Sequence, residues 1–582
     1  VTGLAVEAGM TVPGRPRRRS GPEERKPGRH LIGLVVGLGM LGAAASCSMP
    51  AGTVGESPRA DAAAPAPAPS GALSPADDAS IVHVLNRIGY GPRPGDVARV
   101  RATGLETYIE RQLDPERYGL PGADGQLSTL RSLRASIAEL HREYPQLDAA
   151  TRARLEAGQM TPEAYRQLVP AERRPARILV ELQAAHMVRA VGSERQLEEI
   201  MVDFWLNHFN VYAQKGQVRW YVTAFERDVL RPHALGKFRD LVLATARHPA
   251  MLFYLDNWLS TRSDFVIRAG PQKGRKAGLN ENYARELMEL HTLGVDGGYT
   301  QEDVREVARA FTGWTIERPQ QEARFVFRSV THDPGNKVVL GQPLVGWGGE
   351  AEGVQVIDRL TRHPSTARFL ATKLVRRFVA DDPPAGLVAR VADVYRVTDG
   401  DVRAMLRTIF AAPEFLAPET RQAKTKKPSE FVASAVRALG GTVDIRGGSE
   451  LAGASARMGE ALYEAQPPTG YPDRSDAWVS AGALLARMNF ALGLASRRIP
   501  GITVDPDALV TDVDRRVPSA VLDRLVAAIL PQQVSPETRA VLEAQLGTPE
   551  ITRLTSDDRT PADTDVAKLV ALVVGSPEFQ RR

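Results

Sequence analysis

Residues 278–314 read GLNENYARELMELHTLGVDGGYTQEDVREVARAFTGW, and the punctuation of this stretch decides the local fold. A first helix is predicted from Asn280 and Glu281 to Gly294, a residue suited to the left-handed position just past a helix end. A second begins at Thr300, where Asp303 three residues on makes a capping-box-like pattern. Val304, Val307, Ala308 and Phe311 then follow the i, i+3, i+4, i+7 spacing of one buried face, and Gly313 ends the run. The unit is a helix, a glycine-rich turn and a helix.

On a wheel of about 100° per residue, Glu281, Asn282, Arg285, Glu286 and Glu289 share one side of the first helix, while Tyr283, Leu287, Leu290 and His291 take the other. Two readings follow. In one, the charged side is a solvated face in which Arg285 pairs with Glu281 and Glu289 at i,i+4, each pair worth roughly a few tenths of a kcal/mol. In the other, Glu286 and Glu289, with Glu281, form an acid–base set in a cleft and Arg285 orients them. Two carboxylates held at different pKa values are what glycosidic-bond cleavage requires, one donating a proton while the other activates water or attacks.

The second reading brings in other residues. Asn207 and His208 of FWLNHFNV (residues 204–211) face the carboxylates as a donor and a proton shuttle. Trp205, Tyr283, Trp314 and Tyr471 suit stacking on sugar rings, and Tyr471 lies in the rigid QPPTGYP run. His332 and Lys337 bracket the turn HDPGNK, which could cover a site as a loop. A metal is not expected, because Glu286 and Glu289 face away from His291 and the stretch contains no H-E-x-x-H or E-x-x-H spacing. No cofactor is expected either: there is no phosphate-cradling glycine loop, G-x-S-x-G elbow or dinucleotide fingerprint.

Composition narrows the partners. The 582 residues are 43% hydrophobic and carry 74 Lys+Arg against 69 Asp+Glu, ample for a large core and near charge balance. No basic stripe is interleaved with aromatics, so a nucleic-acid partner is not expected. The single cysteine, Cys47, sits in LIGLVVGLGMLGAAASCSMP, after a basic segment and an apolar run ending in small residues. This reads as a secretory signal whose cysteine resembles a lipoprotein box, with Ser48 favouring the outer membrane; an ordinary cleaved signal is the alternative. The expected organisation is signal and lipobox over 1–47, an Ala/Pro-rich tether over 48–78, and a helical domain over 79–582. The expected address is the periplasmic side of the outer membrane or the cell surface, held by a lipid anchor.

The fold class expected is mostly α, a large multi-helix single body with a small β-hairpin insertion. That hairpin is placed around residues 333–336, joining Phe325 and Phe327 to Val338 and Leu340. Ser193 with Gln196 suggests another capping box, and linker candidates fall at 440–453 and 500–506. DVRAMLRTIFAAPEF from Asp401 aligns without gaps to DVAKLVALVVGSPEF from Asp565, which reads as a reused helix and helix-end motif.

The string from Asn280 to Trp314 closely resembles the signature of the bacterial family catalogued as domain of unknown function 1800. HVLNRIGYGPRPGDV (from His83), FWLNHFNV, LGKFRDLVLATARHPAMLFYLDN (from Leu235), HPSTARFLATKLVRRFV (from His363), QPPTGYPDRSDAWVSAGALLARMNF (from Gln466) and SPEF (from Ser576) carry the same resemblance. It implies a secreted or envelope-facing, largely helical bacterial protein with no settled activity. The functional expectation is hydrolysis of an extracellular or envelope polysaccharide through the Glu286/Glu289 pair. The alternative is a non-catalytic envelope scaffold or polymer-binding lipoprotein whose charged residues form a structural network.

Overall fold

The most enclosed element is the helix Pro428–Ala438, every residue of which is buried. Proline at its first position costs no hydrogen bond, and its Ala and Ser side chains let neighbours approach from all sides. Helices Ala176–Gly192, Ile445–Arg457 and Ala481–Ala495 pack around it. The first two of these lie unusually close. A Cβ at Gly448 would stand 2.5 Å from the Ala184 carbonyl oxygen, so only glycine fits that contact.

The computed structural model describes residues 77–582 apart from 269–272, 346–347, 533, 549–550 and 552–562. The proposed signal, Cys47 and the tether through residue 76 lie outside the described residues. From Ile81 to Phe579 the buried apolar side chains form a continuous core. The body is mostly α, and its sheets are three two-stranded antiparallel pairings among the described residues.

Those pairings revise several expectations. Strand Arg324–Phe327 pairs with Trp314–Glu317, with Trp314 opposite Phe327. The hairpin turn therefore falls before Arg324, not at 333–336, and Val338–Val339 pairs instead with Gln342–Pro343. Alternation within a strand shows which face is apolar but not which neighbour it pairs with. The two linker candidates pair with each other, Thr442 opposite Thr503, and residues 445–457 are helical. The glycines that suggested a linker serve close packing: a Cβ at Gly447 would lie 2.2 Å from the Gly501 carbonyl. Ser193 and Gln196 do not form a capping box. Gln196 Nε2 donates to the Ser193 carbonyl at 2.8 Å, and its Oε1 accepts from the Tyr90 amide at 2.9 Å. The repeated motif is present twice as expected, with Asp401 and Asp565 each capping a helix by accepting an amide three residues on.

A run of buried ions fixes the Pro428–Ala438 helix. Lys427 Nζ lies 2.9 Å from Asp203 and 3.7 Å from Glu460, all three nearly inaccessible. Glu430 caps the same helix by accepting the Lys427 amide at 2.9 Å and meets Arg377 at 2.6 Å and Arg582 at 3.2 Å. Burial alone would raise the Asp203 and Glu430 carboxyls; the Lys427 charge on Asp203 and the Arg377 and Arg582 charges on Glu430 outweigh it and hold both below their ordinary values. Removing one member of such a set strands its partners without water. Lys427→Met is expected to cost about 3–5 kcal/mol of unfolding free energy, measured by urea denaturation; a variant as stable as wild type would contradict this assignment.

Candidate functional site

The first predicted helix forms, but in two registers. Asn282–Glu286 is α-helical, and from Leu287 to Thr292 the chain widens into a π-helix. The Leu293 amide reaches back to the Met288 carbonyl at 2.8 Å, and Thr292 Oγ1 donates to the Leu287 carbonyl at 2.6 Å. Such widened turns occur often at functional sites. Gly294 ends the element at φ 85°, where a Cβ would meet the Phe369 ring at 2.9 Å. The second helix is Gln301–Ala310, with the Thr300/Asp303 capping box formed reciprocally.

The charged side of the first helix splits in two. Arg285 bonds Glu281 at 3.2 Å and Gln301 at 3.0 Å, and Gln301 in turn donates to Glu281 at 2.7 Å. This cluster tethers the start of one helix to the start of the next. Glu286 takes no part in it. It is half-buried and, among the described residues, has no hydrogen-bond or ion-pair partner. Burial pushes its carboxyl above the ordinary value and the Glu289 charge adds to the rise, while Arg285 opposes both. Glu289 is also half-buried, and Tyr299 Oη approaches it at 3.5 Å. Tyr254 completes the surroundings: its phenol is pushed up to about 12 by burial and then by the Glu286 charge, and it donates to the Gln466 carbonyl at 2.7 Å. Neither tyrosine stands out in the sequence, since Tyr254 lies in an ordinary apolar helix and reaches the carboxylates only through tertiary packing.

Asn207 and His208 end the helix Gln196–His208 and face a different space. Asn207 makes a two-bond clamp on Tyr471, accepting its amide at 2.7 Å and donating to its carbonyl at 2.8 Å. The adjoining Gly470 must be glycine, because a Cβ there would lie 2.4 Å from Asn207 Oδ1. Tyr471 Oη bridges the amide and carbonyl of Ala461 at 3.1 and 3.0 Å. His208 is buried, with Nε2 3.1 Å from the His291 carbonyl and Nδ1 2.9 Å from Lys373 Nζ. The carbonyl requires a donor, so Nε2 carries the proton and Nδ1 accepts from lysine. Burial and then the Lys373 charge drive the imidazole well below its ordinary value, so it is neutral. Burial likewise lowers Lys373, to about 8.

Asn207, His208, Lys373 and Tyr471 line one cleft of about 280 Å³, together with Phe204, Arg376, Arg377, Lys427, Thr469, Pro472, Asp473 and Arg474. Glu281, Arg285, Glu286 and Glu289 are not on its wall. The two sets meet through the π turn, whose buried inner side offers the His291 carbonyl to His208 while its half-exposed outer side carries Glu289.

Trp314 is fully buried, edge-on to Phe311 and Phe325 with the Arg247 guanidinium 5.5 Å from its ring, and presents no open face to a sugar. His332 is buried too, its Nδ1 2.8 Å from the Thr312 carbonyl and its Nε2 3.2 Å from Glu352. Lys337 closes the turn onto the core with an ion pair to Glu352 at 2.7 Å. A separate cavity of about 740 Å³ lies among Leu485, Met488, Leu492, Val541, Leu542 and Leu572, and holds none of the residues above. Among the described residues, no three His, Cys, Asp or Glu side chains are grouped to hold a metal ion, and no helix is long and apolar enough to cross a membrane.

A family profile described as protein of unknown function (DUF1800) matches residues 83–581, and the chain belongs to that family. No curated protein and no solved structure matches it.

The raised Glu286 carboxyl has a consequence for stability. The folded state binds its proton more tightly than the unfolded chain, so stability falls as pH rises from the ordinary carboxyl value of 4.5 through the folded one. Glu286→Gln removes that charge. Its melting temperature is expected to exceed wild type at pH 7 and to match it near pH 4, read by calorimetry; a variant less stable than wild type at pH 7 would contradict the direction.

Proposed function

We propose that the protein hydrolyses glycosidic bonds of an extracellular or envelope polysaccharide, with Glu286 as proton donor and Glu289 as its carboxylate partner. The observation that carries this reading is Glu286 itself: a half-buried carboxyl with no partner among the described residues, beside a second carboxylate. An acid that holds its proton above the ordinary carboxylate range can deliver it to the leaving oxygen. Glu289, oriented by the Tyr299 hydroxyl, then activates water or attacks the sugar carbon. Arg285 opposes the rise of the Glu286 carboxyl while Glu281 and Gln301 hold its guanidinium in place. Near this pair the half-buried Tyr299 is the aromatic side chain open to substrate, and Tyr471 lines the neighbouring cleft.

The same proposal puts the protein outside the cytoplasm, acylated at Cys47 and separated from the membrane by the Ala/Pro-rich tether. Cys47→Ala is expected to move the protein from the membrane fraction to the soluble fraction and to abolish labelling by a fatty-acid probe. Unchanged membrane retention with no label on the wild type would contradict the anchor.

The second reading, a non-catalytic scaffold or polymer binder, draws on the Glu281–Arg285–Gln301 cluster and the buried ion network, both of which have structural roles. Product release from polysaccharide and peptidoglycan panels by the full chain separates the two. Glu286→Gln and Glu289→Gln are each expected to lower the rate at least about a hundredfold with the fold retained. A wild type inert on every polymer, with Gln variants that bind polymer as wild type does, would replace the enzyme with the scaffold.

A further inference from the structure

The cleft beside His208 carries more positive charge than its own partners neutralise. Lys373, Arg376, Arg377, Lys427 and Arg474 line it, against the single carboxylate of Asp473. Two of the five cations are spoken for. Lys427 is held between Asp203 and Glu460, and Arg474 at the rim meets Asp382 at 3.0 Å. Of the other three, Arg377 shares the Glu430 carboxylate with Arg582, and Lys373 and Arg376 have no carboxylate partner among the described residues. Lys373 Nζ donates to His208 Nδ1, lies 5.5 and 6.0 Å from the Phe369 and Phe204 rings, and has no carboxylate at ion-pair distance among the described residues. Arg376 Nε donates to the Asp381 carbonyl at 3.1 Å, and its guanidinium also lacks a carboxylate among the described residues. Arg377 is 1% exposed and meets Glu430 at 2.6 Å, yet its Nε and Nη1 have no hydrogen-bond partner among the described residues.

The layer behind the cleft does not supply the missing charge. Glu430 is shared between Arg377 and Arg582, and the fully buried Arg87 nearby leaves Nε and Nη1 unpartnered among the described residues. Buried cations without counter-charge are costly, and the arrangement is relieved when an anion enters.

We propose that the cleft binds an oxyanion, the carboxylate or phosphate group of a ligand, on Lys373, Arg376 and Arg377. Guanidinium groups pair with such oxygens two at a time, and an ammonium adds a point charge. The volume, about 280 Å³, accommodates inorganic phosphate or one acidic sugar unit. His208 is the positioning residue: neutral and fixed by the His291 carbonyl, it accepts from Lys373 and aims the remaining ammonium protons into the space. Burial lowers the Lys373 ammonium to about 8, and the Arg376 charge adds to the fall while the Asp473 charge opposes it. The site does not depend on Glu286 and stands whether or not that residue transfers a proton.

Isothermal titration of the full chain with inorganic phosphate, and separately with glucuronate, tests this. At least one anion is expected to bind with a dissociation constant below about 10 mM. Binding of phosphate alone assigns a phosphate-bearing ligand, binding of glucuronate alone a uronate, and binding of both the shared oxyanion chemistry. Lys373→Met and Arg376→Gln are each expected to weaken it at least about tenfold while the melting temperature holds. A second measurement needs no variant. In wild type, saturating anion is expected to slow acetylation of Lys373 by an amine-reactive reagent about fivefold or more, while the exposed Lys276 reacts unchanged. Absence of binding by both anions, affinities unaltered in both variants, or a Lys373 acetylation rate indifferent to anion would overturn the site.

Discussion

The ammonium of Lys427, closed between Asp203 and Glu460 and out of reach of water, is the contact on which the interior depends. Three ions brought into a low-dielectric interior gain only if each finds the others in good geometry. That condition makes the arrangement intolerant of displacement. It pins the helix Pro428–Ala438, through its first turn, to the middle of the helix Gln196–His208, and both to the end of Ile445–Arg457 just ahead of Glu460. Apolar packing around these helices supplies the driving force for collapse, whereas the ion set selects one register.

From that pin a chain of directed contacts runs outward. Asp203 lies one turn before Asn207 on the same helix, so fixing one places the other. Asn207 clamps Tyr471 and thereby the wall of the cleft, while His208 bonds the inner side of the π turn. The outer side of that turn carries Glu289, and Glu286 sits at its entry. The carboxylate pair and the basic cleft are thus two faces of one connected assembly. Their chemistry differs because their surroundings do: Glu286 is half-buried beside like charge, and Lys373 is half-buried among aromatic rings and arginines.

Much of the helix–turn–helix over 280–313 was legible in advance, because its signals are local. Gly294 takes the left-handed conformation, Thr300 and Asp303 cap reciprocally, and Val304, Val307 and Phe311 are buried. The separation of Glu286 and Glu289 from His291 also held, since polarity alone sorts those side chains. The π widening was not legible, because a wheel of constant pitch cannot show a change of pitch. Lys373 and Lys427 gave no local cue either. The partner of Lys427 lies 224 residues away in sequence. The glycines at 447 and 448 were misleading for a physical reason: the same lack of a side chain that loosens a linker also permits two backbones to touch. Trp314 and His332 looked like site residues by type, and burial puts both in the core.

The protonation of Glu286 can be followed by carbon-13 NMR of its labelled side-chain carboxyl as pH is raised. The expected midpoint lies above that of an exposed glutamate and moves down when Glu289 is replaced by Gln, because a neighbouring negative charge has gone. A Glu286 midpoint at or below the ordinary glutamate value, unmoved by Glu289→Gln, would contradict it.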